Sequence, residues 1–245
     1  ANYVGPKWET GDASSGRFDD HGLQETLLAF LTGPDRNQRM MAEARDALAR
    51  SQGPHDIAAY EGGPSGYALP ERDSPQQKEV NEKYGKSLAM AVAATDSWMR
   101  SDAYGWTHQC FLGYGQGTYW NSHTPLWDGF RPSPGWQALA LRNRWASGDL
   151  MKVDDRSVPT FARRGDSKPE VYPLAGAYAL RDRNRWTVIL VSRKLAGRHD
   201  HADFGDGLTP VTLRLPFRAA AKVALHKLTG DPRESNRERL AIAPQ

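Results

Sequence analysis

Apolar residues recur along this chain at two spacings, and the change from one to the other divides it. Between His21 and Leu31, the residues Leu23, Leu27, Phe30 and Leu31 fall at helical steps, and Gly33-Pro34 ends the run. A second helix is expected from about Pro34 to Arg50, with Met40, Met41, Ala44 and Leu48 on one side and Gly53-Pro54 as its stop. Ile57 to Tyr60 is a short apolar run between glycine-proline breaks, the form of a buried parallel strand. Pro75 then opens the longest predicted helix, in which Val80, Tyr84, Leu88, Ala91, Thr95 and Trp98 fall at steps of three and four. Residues 107–120, THQCFLGYGQGTYW, predict a strand entering a glycine-rich aromatic loop that continues through NSHTPLWDGF. A helix from about Pro134 to Ser147 follows. With ANYVGPKW at residues 1–8 as a first strand, strands alternate with helices, which argues for parallel βα units.

Beyond Val153 the spacing shortens. The strings VPTFAR, VYPLAGAYALRD, RWTVILVSRK, TPVTLRLPF and AKVALHKLTGD are rich in β-branched and aromatic residues and are separated by turn formers. They predict an antiparallel β-sandwich, and the boundary falls near residue 152, giving segments 1–152 and 153–245.

Composition narrows the classes. A chain of 245 residues can bury a substantial core, and its net charge of +3 comes from basic residues interleaved with acidic ones. No basic stripe points to nucleic acid, and the apolar run Leu88 to Ala94 is too short to cross a bilayer, so neither nucleic acid nor membrane is an expected partner. Cys110 is the only cysteine and is expected to be a small buried side chain. The chain begins at Ala1 without methionine; a removed upstream signal or pro-segment would leave that trace and would point to a secreted or periplasmic protein.

The candidate chemistry centres on DIAAYEGGPSGY, residues 56–67. A carboxylate at the end of a buried strand is costly unless it serves chemistry, and active sites of barrels form at the C-terminal ends of strands. Glu61 occupies that position, and Gly62 and Gly63 leave room beside it for a bulky ligand. A salt-bridged or capping glutamate in an ordinary turn would have the same local sequence. Of the eight tryptophans, Trp98, Trp106, Trp136, Trp145 and Trp186 are expected in the core, while Trp8, Trp120 and Trp127 sit in loops. The segment HDHADFGDG at 199–207 carries metal-compatible residues, but a solvated loop is the expected outcome, and no metal site is assigned. GYGQG at 113–117 lacks the Lys-Ser/Thr of a phosphate loop.

Taken together, the strand ending in YEGG, the strand and loop FLGYGQGTYWNSHT, the helix GWQALALRNR and a β-rich region ending in LTGDP resemble the C-terminal half of a clan A glycoside hydrolase. Families thirty-nine, fifty-one and seventy-nine of that clan are (β/α)8 barrels with an appended β-domain. The resemblance extends over essentially the whole chain through short motifs. It implies an α/β fold: the second half of a (β/α)8 barrel, strands six to eight, followed by a β-sandwich. In that clan an acid/base glutamate ends the fourth strand and a nucleophile ends the seventh. Glu61 matches the nucleophile, ANYVGPKW would be strand six, and THQCFLGYG would be strand eight.

The implied function is retaining hydrolysis of an oligo- or polysaccharide by double displacement, with no cofactor. The implied sugar cleft is lined by Tyr3, Lys7, Trp8, Tyr67, Tyr114, Trp120 and His123. About 150 residues hold only three barrel strands, so strands one to five and the acid/base are expected from a second chain or segment. Glu71, Glu79 and Glu82 are the internal alternatives for that second carboxyl group. A carbohydrate-binding or scaffold protein without catalysis is the alternative function.

Overall fold

The computed structural model describes residues 2–4, 18–64, 74–111, 113, 121–155, 157–163, 170–199, 202–203, 205, 208, 210–220 and 222–245. Its first part contains β1 (Asn2–Val4), α1 (Asp20–Leu28), α2 (Pro34–Gln52), β2 (Ile57–Ala59), β3 (Gly62–Pro64), α3 (Pro75–Lys86), α4 (Leu88–Ala103), β4 (Trp106–Gln109) and α5 (Pro134–Trp145). The second contains β5 (Asp149–Met151), β6 (Thr160–Arg163), β7 (Glu170–Pro173), β8 (Ala175–Asp182), β9 (Arg185–Ser192), β10 (Arg198–His199) and β11 (Ala202–Asp203). The fold is α/β.

The parallel alternation expected from the sequence is present. β1 pairs in parallel with β3, Tyr3 opposite Gly63, and β2 pairs in parallel with β4, Ala59 opposite Gln109. β2 and β3 are separated by a bend at Tyr60 and Glu61, so residues 57–64 link two parallel two-stranded sheets, β2–β4 and β1–β3. Ile57, Ala59 and Trp106 are buried with Ala42 of α2, whereas Ala58, Tyr60, Thr107 and His108 are exposed. Cys110 is exposed rather than buried: it stands one residue past the end of β4, outside the strand's buried positions.

α4 is the hub, touching α1, α2, α3, α5, β1, β3, β4 and β9. Its sequence, LAMAVAATDSWMRSDA, is small or apolar on nearly every side, as a helix surrounded by neighbours must be. The single long helix expected from Pro75 is in fact two. Ser87 takes an extended conformation (φ −69°, ψ 160°), its hydroxyl accepting from the Met90 amide and donating to the Tyr84 carbonyl. One serine thus ends α3 and caps α4. Replacing Ser87 with alanine should lower stability by about 1 kcal/mol, read as a lower urea midpoint at unchanged slope.

The antiparallel region is only partly as expected. β5, β8 and β9 form a three-stranded sheet, β6–β7 and β10–β11 form hairpins, and β5 joins the sheet before residue 152. Among the described residues no barrel closes, and the antiparallel strands fall into one three-stranded sheet and two separate pairs. The described residues of TPVTLRLPF, 210–217, form no strand: Pro210 and Pro216 each remove an N–H donor, and Val211, Leu213 and Leu215 stay exposed. The described residues of AKVALHKLTGD, 222–231, also carry no strand, and two of them meet α5 and the cluster beside it. There His226 stacks on Trp145 at 4.4 Å, and Leu228 packs with Ala138 and Ile242.

The two parts share a core. Met99 of α4 is buried with Tyr178, Leu180 and Val191 of the sheet. Beside them Asp96, fully buried, receives a forked pair of bonds from Arg193 at 2.7 and 2.8 Å and a third from the Tyr178 hydroxyl at 2.6 Å. The remaining Arg193 nitrogen donates to the Pro173 and Ala175 carbonyls. Burial alone would lower the Arg193 pKa; the Asp96 charge and hydrogen bonds reverse it, and the guanidinium is held more firmly protonated than usual. Gln24 of α1 completes the junction, its amide donating to the Arg193 carbonyl and accepting from the Leu195 amide.

Candidate functional site

Glu61 is half-exposed at the break between β2 and β3, where the central parallel segment changes partner from β4 to β1. The adjacent Tyr60 is 75% exposed. The neighbouring Glu61 carboxylate, through hydrogen bonding first and its charge second, raises the phenol's pKa. Beyond Glu61, Gly62, Gly63 and Pro64 are buried. Gly63 has φ +119°, a region closed to ordinary L-residues, so glycine is required there by the backbone. The space beside it is occupied by the Phe111 ring, 3.6 Å from where a Cβ would stand, and not by an opening for a ligand.

Phe111 begins an aromatic series leading away from the Glu61 strand. Its ring lies 6.2 Å from Trp98 and 5.8 Å, edge-on, from Trp136; Trp136 meets His123 edge-on at 5.1 Å; His123 stacks on Phe130 at 4.5 Å. Sequence reading placed Trp98 and Trp136 in the core and assigned no role to Phe111. The only signal for Phe111 was its place just after the strand that pairs with the Glu61 segment. Of the tryptophans expected inside, Trp98 and Trp106 are buried, and Trp136, Trp145 and Trp186 are half-buried.

The end of β4 is fixed from behind. Gln109 donates to the Trp98 carbonyl at 3.1 Å and to Asp102 at 3.4 Å, and Asp102 is paired with Arg142 of α5. Burial raises the Asp102 pKa, with Arg142 opposing the shift. The Cys110 amide donates to the Ala59 carbonyl at 3.1 Å and continues the ladder to the level of Tyr60.

Only some of the residues expected to meet a sugar can be placed. Tyr3 lies on β1 opposite Gly63, two residues from Glu61. Lys7, Trp8, Tyr67, Tyr114 and Trp120 lie outside the described residues, as does Glu71. His123 is buried, its Nδ1 2.9 Å from the Ser122 hydroxyl. It therefore shapes the wall through Phe130 and Trp136 and does not present its ring to solvent. Glu79 is paired with Lys83 at 3.0 Å, which lowers its pKa, the wrong direction for a proton donor; Glu82 is paired with Lys86 at 2.5 Å. No group of three or more His, Cys, Asp or Glu side chains able to hold a metal exists among the described residues, and the segment 199–207 is only partly described.

Burial holds the His123 imidazole below its ordinary pKa. The folded protein keeps the ring neutral while the unfolded chain takes up a proton near pH 6.5, so the stability this provides is complete above about pH 6.5 and is lost as the pH falls. Unfolding free energy measured from pH 8 to pH 5 should fall below pH 6.5 more steeply in the wild type than in His123→Gln, by at most about 1.4 kcal/mol per pH unit.

Comparison of the chain with family models, with curated proteins and with solved structures finds no match.

Proposed function

We propose that this chain is the C-terminal part of a retaining glycoside hydrolase, with Glu61 as the nucleophile. β1, residues 57–64 and β4 are read as strands six to eight of a (β/α)8 barrel, and the region from β5 onward as its β-domain. The observation that carries the reading is the place of Glu61: a half-exposed carboxylate at the bend where residues 57–64 pass from one parallel strand pair to the other, next to Tyr60 and two residues before Gly63, beside which the Phe111 ring lies. Such strand ends are where barrel enzymes assemble their chemistry.

In this reading one Glu61 oxygen attacks the anomeric carbon as the bond to the leaving oxygen breaks, forming a glycosyl ester that water then opens. The second carboxyl group, which protonates the leaving oxygen and then activates the water, stands about 5–5.5 Å away in retaining enzymes. Glu79 and Glu82 are each held by a lysine one turn away, Glu71 lies outside the described residues, and that group is read as coming from a partner chain or segment carrying strands one to five. Tyr3, Lys7, Trp8, Tyr67, Tyr114 and Trp120 are the side chains assigned to the sugar, as ring faces and hydroxyl partners.

The test isolates the nucleophile. A 2-deoxy-2-fluoro glycoside with a dinitrophenolate leaving group departs without a proton donor, so labelling requires the attacking carboxylate alone. Incubation of the native protein with a panel of such reagents, covering both anomers of common pentoses and hexoses, should add one fluoroglycosyl unit to the peptide containing Glu61. Absence of any adduct, with sugar binding retained, would replace the hydrolase by the binding-protein alternative.

A further inference from the structure

The loop after β4 ends in a closed hairpin, residues 121–133, whose tip is apolar and open. Trp127 is 79% exposed and Leu126 69%, in a short 3-10 turn, Leu126–Asp128. Isolated exposed apolar residues need no explanation, but these two sit on an unusually well-fastened support. The Asp128 and Phe130 amides both donate to the Pro125 carbonyl, the Thr124 hydroxyl donates to the Asp128 carbonyl at 2.8 Å, and the Arg131 amide donates back to the Thr124 hydroxyl at 2.8 Å. Gly129 and Phe130 both have positive φ, 78° and 48°, which closes the turn. Arg131 fastens it to the body of the protein through the Asn236 and Arg237 carbonyls, and Asn236 returns a bond to the Pro132 carbonyl. Phe130, stacked on buried His123, anchors the hairpin from below.

We propose that this apex is a binding platform for one ring of a neutral glycan, with Trp127 under the C–H face of the sugar and Asp128 accepting from its hydroxyls. This rests on the hydrolase reading for the nature of the ligand. Three features favour a sugar ring over a protein surface. The apolar area is a single indole with one leucine, whereas a specific protein contact needs roughly 800 Å² on each side. Asp128 adjoins the ring, about half exposed, with one oxygen 3.1 Å from Arg131 and the carboxylate otherwise accessible to hydroxyl donors. The platform is also already rigid, so little ordering entropy opposes a weak, small contact. An Asp128 carboxylate already paired with Arg131 offers its remaining acceptor sites to hydroxyl donors, which an uncharged sugar supplies.

Affinity electrophoresis through soluble galactomannan, xyloglucan, arabinan and mixed-linkage β-glucan tests this with the native protein, using Glu61→Gln to prevent digestion of the gel. At least one of these polysaccharides should retard Glu61→Gln. Adding Trp127→Ala should weaken that binding about tenfold, and Trp127→Phe should retain most of it. Retardation unchanged by Trp127→Ala, or none with any of the four, overturns the platform. So does a Trp127→Ala variant that loses a partner chain by native mass while binding glycan normally, which would make the apex a protein contact. Labelling of wild-type Glu61 by the fluoroglycosides is read in parallel. Failed labelling with Trp127-dependent retardation intact removes the hydrolase reading and leaves the platform, and successful labelling with retardation indifferent to Trp127 does the reverse.

Discussion

Glu61→Gln should reduce glycan hydrolysis by at least about a thousandfold, roughly 4 kcal/mol of lost transition-state stabilisation, while leaving thermal unfolding nearly unchanged. Glutamine keeps the shape of the side chain and can still pair with the Tyr60 hydroxyl, but it cannot form the glycosyl ester. A half-exposed side chain that ends no buried network has little to contribute to folding, so the two readouts separate. Proton NMR of the first product released by the wild type should show the anomeric configuration of the substrate kept, as two displacements require. Turnover surviving in Glu61→Gln, or an inverted first product, removes Glu61 from the nucleophile's role.

Asp96→Ala should cost about 3–5 kcal/mol of folding stability, a fall of roughly 10 °C in melting temperature for a chain of this size. The loss comes less from the attraction removed than from what remains: an arginine 3% exposed, with its two carboxylate bonds gone. Tyr178 would also lose its acceptor; its phenol is pushed up by burial and then by the Asp96 charge. Tyr178→Phe removes one neutral donor and should cost only about 1 kcal/mol. Asp96→Leu combined with Arg193→Met should recover part of the loss, because an apolar pair avoids the buried charge. Recovery would stop short of wild type, since the Pro173 and Ala175 carbonyls would lack their donor. A melting temperature unmoved by Asp96→Ala would mean the forked pair contributes nothing net.

These expectations draw on features with unequal traces in the sequence. α2 and α5 were readable because Pro34 and Pro134 stand at their first turns and their ends carry clear stops. The division at Ser87 was not, because the apolar steps run through it: Tyr84 and Leu88 are both buried, so the pattern continues although the backbone turns. Glu61 stood out as a carboxylate among alanines and glycines. Phe111 did not, since its role depends on Gly63, which a different strand brings to it. The Asp96–Arg193 pair joins positions 97 residues apart, and its one local sign was an aspartate inside an otherwise apolar helix. The segment TPVTLRLPF shows the converse: alternation alone predicted a strand, but pairing needs donors that two prolines remove.

The start of α4 is completed by the far end of the chain. The Leu88 and Ala89 amides donate to the Glu234 and Pro232 carbonyls, and Ile242 fills the space beside Leu88 and Ala91. Some 145 residues separate these partners in sequence, so during synthesis on the ribosome the central helix waits with its first turn open until residues 232–242 have emerged. Removing residues 234–242 would therefore open the centre of the molecule at α4, beyond the loss of that segment's own contacts.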